Sequence, residues 1–239
     1  KNQIKKAHSR WDENEAQVKA QDMYERMFAF KFLPPGRGLW AMGTKIISKI
    51  GGAAVNNCGF VSTKDIDQHF SQPFCDLADF LMVGVGMGFD VRGAGKRKIL
   101  RPETPEGTFV VEDSREGWIA LLRITLDAYV HAGRLPAVVD YTRVRPEGTP
   151  LKTFGGVASG YKPLEELRIS LIDLLDAQVG CDVSASTITD IMNMIGRCVV
   201  SGNVRRSSEI ALGDITDFTF TKLKDPTPKK LLKAQQREI

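Results

Sequence analysis

The sequence predicts an α/β fold with parallel neighbouring strands. Three observations carry the prediction: apolar stripes at helical spacing recur along the chain, short apolar runs between them read as strands, and a glycine-rich run stands where a helix passes into a strand. Alternation of this kind places ligand-binding loops at the carboxyl ends of the strands. With 239 residues, 42% apolar and 26% charged, the chain can bury a sizeable core as one domain or a large piece of one.

The first helix is expected from Asp12, because Asp12 and Glu15 form a D-x-x-E capping pair and Ala16, Ala20, Met23, Met27 and Phe30 then recur at steps of four and three. It ends before Pro34. The glycine-rich stretch FLPPGRGLWAMGT follows, then an extended segment around Cys58, Phe60 and Val61. A second helix starts near Ser71 and Pro73 and carries Phe74, Leu77, Phe80 and Leu81 on one side. It runs into VGVGMGFDV. Asp113 and Glu116 form another capping pair, opening a helix with Trp118, Leu121, Leu122 and Tyr129 on its apolar face and a stop at Gly133. AVVDYTRV reads as a strand, and RPEGTPLKTFGGVASGYKP as a long loop of a kind that often carries function. Pro163 opens a helix with Leu164, Leu167, Leu171, Leu174 and Leu175 as its stripe. A further helix carries Ile188, Ile191, Met192, Ile195 and Val199, and NVRRSSEIALGD returns as a strand. A last helix begins at Pro228 and runs out without a cap, so the chain reads as the middle of something longer.

The net charge of +4 comes from 33 basic and 29 acidic residues mixed along the chain. That balance does not describe a nucleic-acid groove, although it tolerates a polyphosphate ligand. No uncharged apolar run reaches membrane-spanning length and no signal-like core opens the chain, so a cytoplasmic protein without a membrane partner is expected. Cys58, Cys75, Cys181 and Cys198 are too sparse for a disulfide scaffold and form no close pair of the zinc-site kind. His8, His69 and His131 lie far apart, so no structural metal is expected.

Familiar phosphate motifs fit poorly. GVGMG at Gly84 to Gly88 has G-x-G-x-G spacing and follows a helix into a strand, the reverse of the dinucleotide-binding order. GAGKRK, Gly93 to Lys98, has no Ser or Thr after Lys96 to hold magnesium. Glycines at 84, 86 and 88 serve equally well for close approach of a ligand or for tight strand–helix packing. FGGVASG is either a passive connection or a lid beside a ligand. The Arg205–Arg206 pair in VRRS is either a solvated face or a phosphate fork. A lone cysteine at position 58 would ordinarily be buried filler.

Six stretches together, LPPGRGLWAMGT, VNNCGF, VGVGMGFDV, EDSREGW, FGGVASG with its following proline, and IGRCVVSGNVRRSSEIALGD, occur in an order that resembles the adenosylcobalamin-dependent (class II) ribonucleoside-triphosphate reductases of the monomeric type. The resemblance covers about Trp11 to Phe220. It implies a ten-stranded α/β barrel built from two antiparallel halves of five parallel strands. Residues 1–32 would be an amino-terminal helical segment, and 33–239 the first half of that barrel, truncated at its carboxyl end.

The resemblance also implies roles. Cys58 in NNC matches the first cysteine of the pair that reduces the ribose 2' position and ends as a disulfide, after a thiyl radical has taken the 3' hydrogen. Asn57 would help hold the substrate. Pro35, Gly36 and Arg37, with Gly84, Val85, Gly86, Met87 and Gly88, match segments that line the nucleotide pocket. Phe154, Gly155, Gly156, Val157, Ala158, Ser159 and Gly160 match the loop that senses a deoxynucleoside triphosphate effector. The implied cofactor is adenosylcobalamin, bound mainly outside this chain, and the implied reductant is thioredoxin-like. The N-P-C-G-E type motif of the radical cysteine, the partner of Cys58 and the carboxyl-terminal cysteines are not found in the sequence, and the segment from Arg92 to Ser114 is short for the family. Two other readings stay open: a reductase of the same superfamily with a different radical generator, and a nucleotide-binding module without catalysis.

Overall fold

A computed structural model of the chain describes residues 12–131, 133–151, 156–201 and 208–224. The chain divides into two compact units, Lys1–Asn57 and Cys58–Ile239.

The described part of the first unit is helical. Helix α1, Glu13–Phe28, begins where the capping pair sets it: Glu15 N donates to Asp12 Oδ1 at 2.9 Å, and Asp12 N donates to the Glu15 carboxylate at 3.3 Å. Of the expected stripe only Ala16 is fully buried; Met23 is exposed, and Phe30 lies beyond the helix end with φ at 54°. The glycine-rich stretch that follows is more regular than its composition implies. Gly36–Ala41 forms α2 and Lys45–Ile50 forms α3, which Thr44 caps by accepting from Ile46 N. A 3-10 turn, Gly51–Val55, leads out.

The second unit runs β1 Cys58–Val61, α4 Gln72–Met82, β2 Gly86–Asp90, β3 Thr108–Val110, α5 Arg115–Asp127, β4 Val138–Asp140, α6 Lys162–Asp176, α7 Ala185–Val200, β5 Glu209–Leu212 and the short α8 Phe218–Thr221. Strands β1, β2 and β5 form a parallel sheet in that order, and β3 pairs with β4 in a second parallel sheet. The expected α/β class with parallel neighbours is what the chain adopts. The second sheet corrects two details: β4 is shorter than AVVDYTRV, and its partner β3 lies in a segment that carries no alternation long enough to read.

Helices cover one face of the main sheet. Helix α4 packs on β1 and β2 and against α5 and α7, while α6 lies against α5 and α7. The spacing of the buried side chains explains the arrangement: Phe74, Leu77 and Leu81 on α4, Leu164, Leu167, Leu171 and Leu174 on α6, and Ile188, Ile191, Met192 and Ile195 on α7 each line one helix face. Each such side chain contributes about 1.5–3 kcal/mol on leaving water.

The caps are local sequence chemistry. Ser184 opens α7 in a capping box with Thr187. At α5 the cap is Ser114, whose Oγ accepts from Gly117 N at 3.0 Å. Asp113 instead turns to Arg145, whose Nε donates to Oδ2 at 2.7 Å and to Oδ1 at 2.9 Å. The expected Asp113–Glu116 cap is therefore displaced by one residue, because a guanidinium outbids a backbone amide for the carboxylate. Tyr129 and Gly133 lie in the turns after α5, and Tyr129, fully buried, donates to Asp176 at 2.9 Å. The helix expected from Pro228 falls outside the described residues.

Candidate active-site face

Pairing register decides which side chains share a face. Cys58 pairs with Gly86, Phe60 with Gly88, and Gly88 in turn with Ile210. Side chains alternate along a strand, so these residues share one face of the sheet, while Gly59, Val61, Met87, Phe89, Glu209 and Ala211 take the other. The second face is the helical side: Met87 and Phe89 are buried there, and a Cβ on Gly59 would stand 2.8 Å from Met87 Sδ. Among the described residues of the second unit, no helix packs on the first face. Cys58 is exposed on it, together with Phe60 and Ile210 at 51% and 61% exposure.

The run GVGMG resolves into three jobs. Gly84 has φ 78° and closes α4: its N–H bonds Leu81 O at 2.8 Å, and Val85 N–H bonds Phe80 O at 3.0 Å, the pattern of a Schellman cap. Gly86 lies beside Cys58 on the open face. Gly88 makes room for a neighbour, since a Cβ there would stand 2.8 Å from Phe60 Cδ2 and 3.3 Å from Ile210 Cγ2. The side chains of Val85 and Met87 are buried, so on the open face this run has only backbone to offer.

The carboxyl ends of β1 and β2 are closed rather than open to a ligand. Asp90 Oδ1 accepts from Thr63 N at 2.8 Å and from Thr63 Oγ1 at 3.0 Å, and Oδ2 accepts from Arg92 Nε at 2.8 Å. Burial alone would raise the Asp90 carboxyl, but these donors outweigh it and hold the group below the usual carboxylate range. Gly93 packs into the same knot, where a Cβ would meet Thr63 O at 2.5 Å. Lys96 donates to the Lys64 carbonyl. GAGKRK is thus a packed turn, and Cys58 and Gly86 stand at the amino ends of their strands, not at the carboxyl ends that parallel-sheet reasoning favours.

In the first unit Pro35, Gly36 and Arg37 open α2, and Arg37 Nη1 donates to Asn56 O at 2.7 Å, next to Asn57. In the second unit, the described residues of the loop expected to sense an effector pair with the segment that precedes it. Leu151 N donates to Gly156 O, Ala158 N to Thr149 O and Gly148 N to Ala158 O, with Pro150 bridged to Val157. Gly160, at φ 70°, lies against Glu147, and Ser159 Oγ contacts Gly160 O at 3.5 Å. Phe154 and Gly155, like Arg205 and Arg206, lie outside the described residues.

The four thiols separate by burial. Cys75 and Cys198 are both pushed up to about 12, chiefly by burial, whereas Cys58 and Cys181 are exposed. Cys198 is the core residue its helix face implies. Mass-spectrometric mapping after brief alkylation of the native chain should therefore find Cys58 and Cys181 labelled and Cys75 and Cys198 unmodified until denaturant is added. Among the described residues no three His, Cys, Asp or Glu side chains converge as a metal-binding group, and no helix is long and apolar enough to cross a membrane.

Two features of the sheet escape sequence reasoning. Phe60 shares the Cys58 face, which the i, i+2 spacing could have shown. Glu209 points to the helical side, where a Cβ on Gly196 of α7 would stand 2.1 Å from its Oε1; both carboxylate oxygens are buried without a hydrogen-bond partner, and burial pushes the group up to about 7. No pattern in EIAL marks that carboxyl as inward.

Comparison with known proteins agrees with this architecture. Residues 1–44 match the ribonucleotide reductase alpha domain, and residues 90–175 match the insertion domain of B12-dependent ribonucleotide reductase. The chain is 45% identical over 225 residues to an adenosylcobalamin-dependent ribonucleoside-triphosphate reductase of Euglena gracilis, covering 92% of this chain and 31% of that protein. It is 43% identical over 234 residues to a probable enzyme of the same name from Dictyostelium discoideum, covering 90% and 31%. The crystal structure of a B-12 dependent (class II) ribonucleotide reductase superposes with a TM-score of 0.76 at 24% identity, covering 95% of this chain and 38% of that one. The chain belongs to the B12-dependent (class II) ribonucleotide reductase family and has the fold of part of its catalytic barrel. It spans about a third of the length of the curated relatives it matches.

Proposed function

We propose that this chain is the amino-terminal part of an adenosylcobalamin-dependent ribonucleoside-triphosphate reductase, with residues 1–32 as its helical lead-in and 33–239 as the first half of its barrel. The observation that carries the reading is the exposed thiol of Cys58, in register with Gly86 on the face of the sheet opposite α4 and α7. A thiol buried among helices could not reach a nucleotide; this one can.

In this reading Cys58 is one of two thiols that reduce the ribose. The pair gives up two electrons and two protons, the C2'–O bond breaks, the oxygen leaves as water, a C2'–H bond forms, and the two sulfurs end joined. Such closure needs a partner whose Cα comes within about 7 Å, and that partner belongs to the remainder of the enzyme. Adenosylcobalamin, when bound, supplies the radical that starts the reaction; the residues that would hold it lie mainly outside this chain. Pro35, Gly36, Arg37 and Asn57 in the first unit are read as substrate-binding residues, and in the second unit so is the backbone from Gly84 to Gly88. The loop from Phe154 to Gly160 reports a deoxynucleoside triphosphate effector to the site, and a thioredoxin-like dithiol resets the disulfide.

The test is a full-length enzyme in which this chain is continued by the carboxyl-terminal two thirds of the Euglena relative. It should convert a ribonucleoside triphosphate to the 2'-deoxy product with adenosylcobalamin and a dithiol. Turnover only on addition of a separate radical-bearing subunit would overturn the cobalamin assignment, and nucleotide binding without turnover under either condition would leave a binding module.

A further inference from the structure

The open face carries one feature that the reading of Cys58 does not use. Phe60 follows Cys58 by two residues, so its side chain rises from the same face about 6.6 Å further along β1. Its register partner has no side chain. The ring fills that space: a Cβ on Gly88 would lie 2.8 Å from Phe60 Cδ2 and 3.4 Å from Cε2, and Ile210 Cγ2 reaches within 3.3 Å of the same point from β5. The ring therefore lies over the β2 backbone toward Ile210 instead of standing free in solvent, and it still keeps 51% of its surface exposed. At the neighbouring rung on the same face, exposed Cys58 pairs with Gly86, which has no side chain. The face thus offers a step one residue pair wide, with glycine backbone as its floor, a thiol on one side and an aromatic wall at one end.

We infer that Phe60 is a positioning residue for the substrate sugar, its ring forming the apolar wall that sets the ribose over Gly86 and beside the Cys58 sulfur. A furanose with its C–H edge against the ring places hydroxyl-bearing carbons toward the thiol, and a wall of carbon there leaves the sugar one resting place instead of several. Gly88 is part of the device, because any side chain at that position would displace the ring. The inference rests on the reading of Cys58 as a reducing thiol.

The test uses the full-length enzyme described above, with Phe60→Ala, Phe60→Leu, Phe60→Tyr and Cys58→Ser compared by steady-state kinetics and thermal unfolding. Loss of the ring in Phe60→Ala is expected to raise KM for the ribonucleotide about tenfold, the equivalent of roughly 1.4 kcal/mol, with kcat within about threefold of the parent. Phe60→Leu should recover part of that loss, and Phe60→Tyr, which keeps the ring, should recover nearly all of it. If Phe60→Ala unfolds early, the Leu and Tyr variants carry the comparison alone, since a wall distinguishes them and a mere filler of the sheet surface does not. An unchanged KM in the Ala and Leu variants while Cys58→Ser is inactive would overturn the wall and leave the thiol assignment standing. Turnover persisting in Cys58→Ser would instead remove the reading on which the wall depends.

Discussion

Glu209→Met is expected to stabilise the sheet unit by roughly 2–3 kcal/mol at pH 8 and by almost nothing at pH 4. The Glu209 carboxyl sits on the helical side of β5, against Gly196, with both oxygens buried and unpartnered and its titration pushed up to about 7 by burial. Among the described residues no neighbouring charge offsets that burial. Asp90, on β2, is engaged with Thr63 and Arg92, and on α7 Arg197 is exposed while the Cys198 thiol is itself pushed up by burial. In an unfolded chain the same carboxyl ionises near 4.5. The folded state therefore holds a proton that the unfolded state gives up between about pH 4.5 and pH 7, so stability falls across that window as pH rises and levels off above it. At about 1.4 kcal/mol per unit of difference, the penalty above pH 7 comes to roughly 3 kcal/mol. Methionine keeps the length of the side chain and removes the charge, with its thioether against the glycine. Urea unfolding at a series of pH values measures the effect: the parent should lose stability from pH 4.5 to 7 and the variant should not. Parallel curves would place Glu209 elsewhere.

Cys58→Ser is expected to abolish multiple turnover in the full-length enzyme, by roughly a thousandfold or more. Serine preserves the size of the side chain and its place beside Gly86, so the fold is undisturbed and substrate affinity should change little. What it removes is redox chemistry: an alcohol cannot give up an electron to join a second sulfur. The expected result is normal binding by calorimetry with no accumulation of deoxynucleotide. The exposed Cys181 serves as the control, because it sits in the turn between α6 and α7, where its carbonyl accepts from Ile99 N and no strand brings it to the Cys58 face. Cys181→Ser should leave turnover intact.

The sequence makes helices legible wherever a stripe of leucine or isoleucine at helical spacing meets a capping hydroxyl or an early proline, as in α4, α6 and α7. It is weaker where two side chains compete for one role. Asp113 and Ser114 are both able to cap α5, and only the distant Arg145 decides between them. Glycine content misleads in both directions: Gly36 and Gly38 sit inside a helix, while Gly84, Gly86 and Gly88 look like one motif and serve as a cap, an open rung and a seat for an aromatic ring. Strand β3 is three residues long and lacks any alternation to detect. On the site itself, the order of motifs points to Cys58, but its exposure and its pairing with Gly86 come from register, which depends on residues far apart in the chain. The inward turn of Glu209 and the lean of Phe60 over Gly88 are likewise contacts between strands and helices that no local pattern encodes.

The most direct measurement is the fate of the sulfur during reaction. The full-length enzyme, reduced and freed of dithiol, is given one equivalent of ribonucleoside triphosphate with adenosylcobalamin, quenched in acid, alkylated and digested for mass spectrometry. The peptide carrying Cys58 should be recovered joined through a disulfide to a cysteine beyond residue 239, in proportion to the deoxynucleotide formed. Recovery of Cys58 as an alkylated free thiol alongside a full equivalent of product would contradict its redox role.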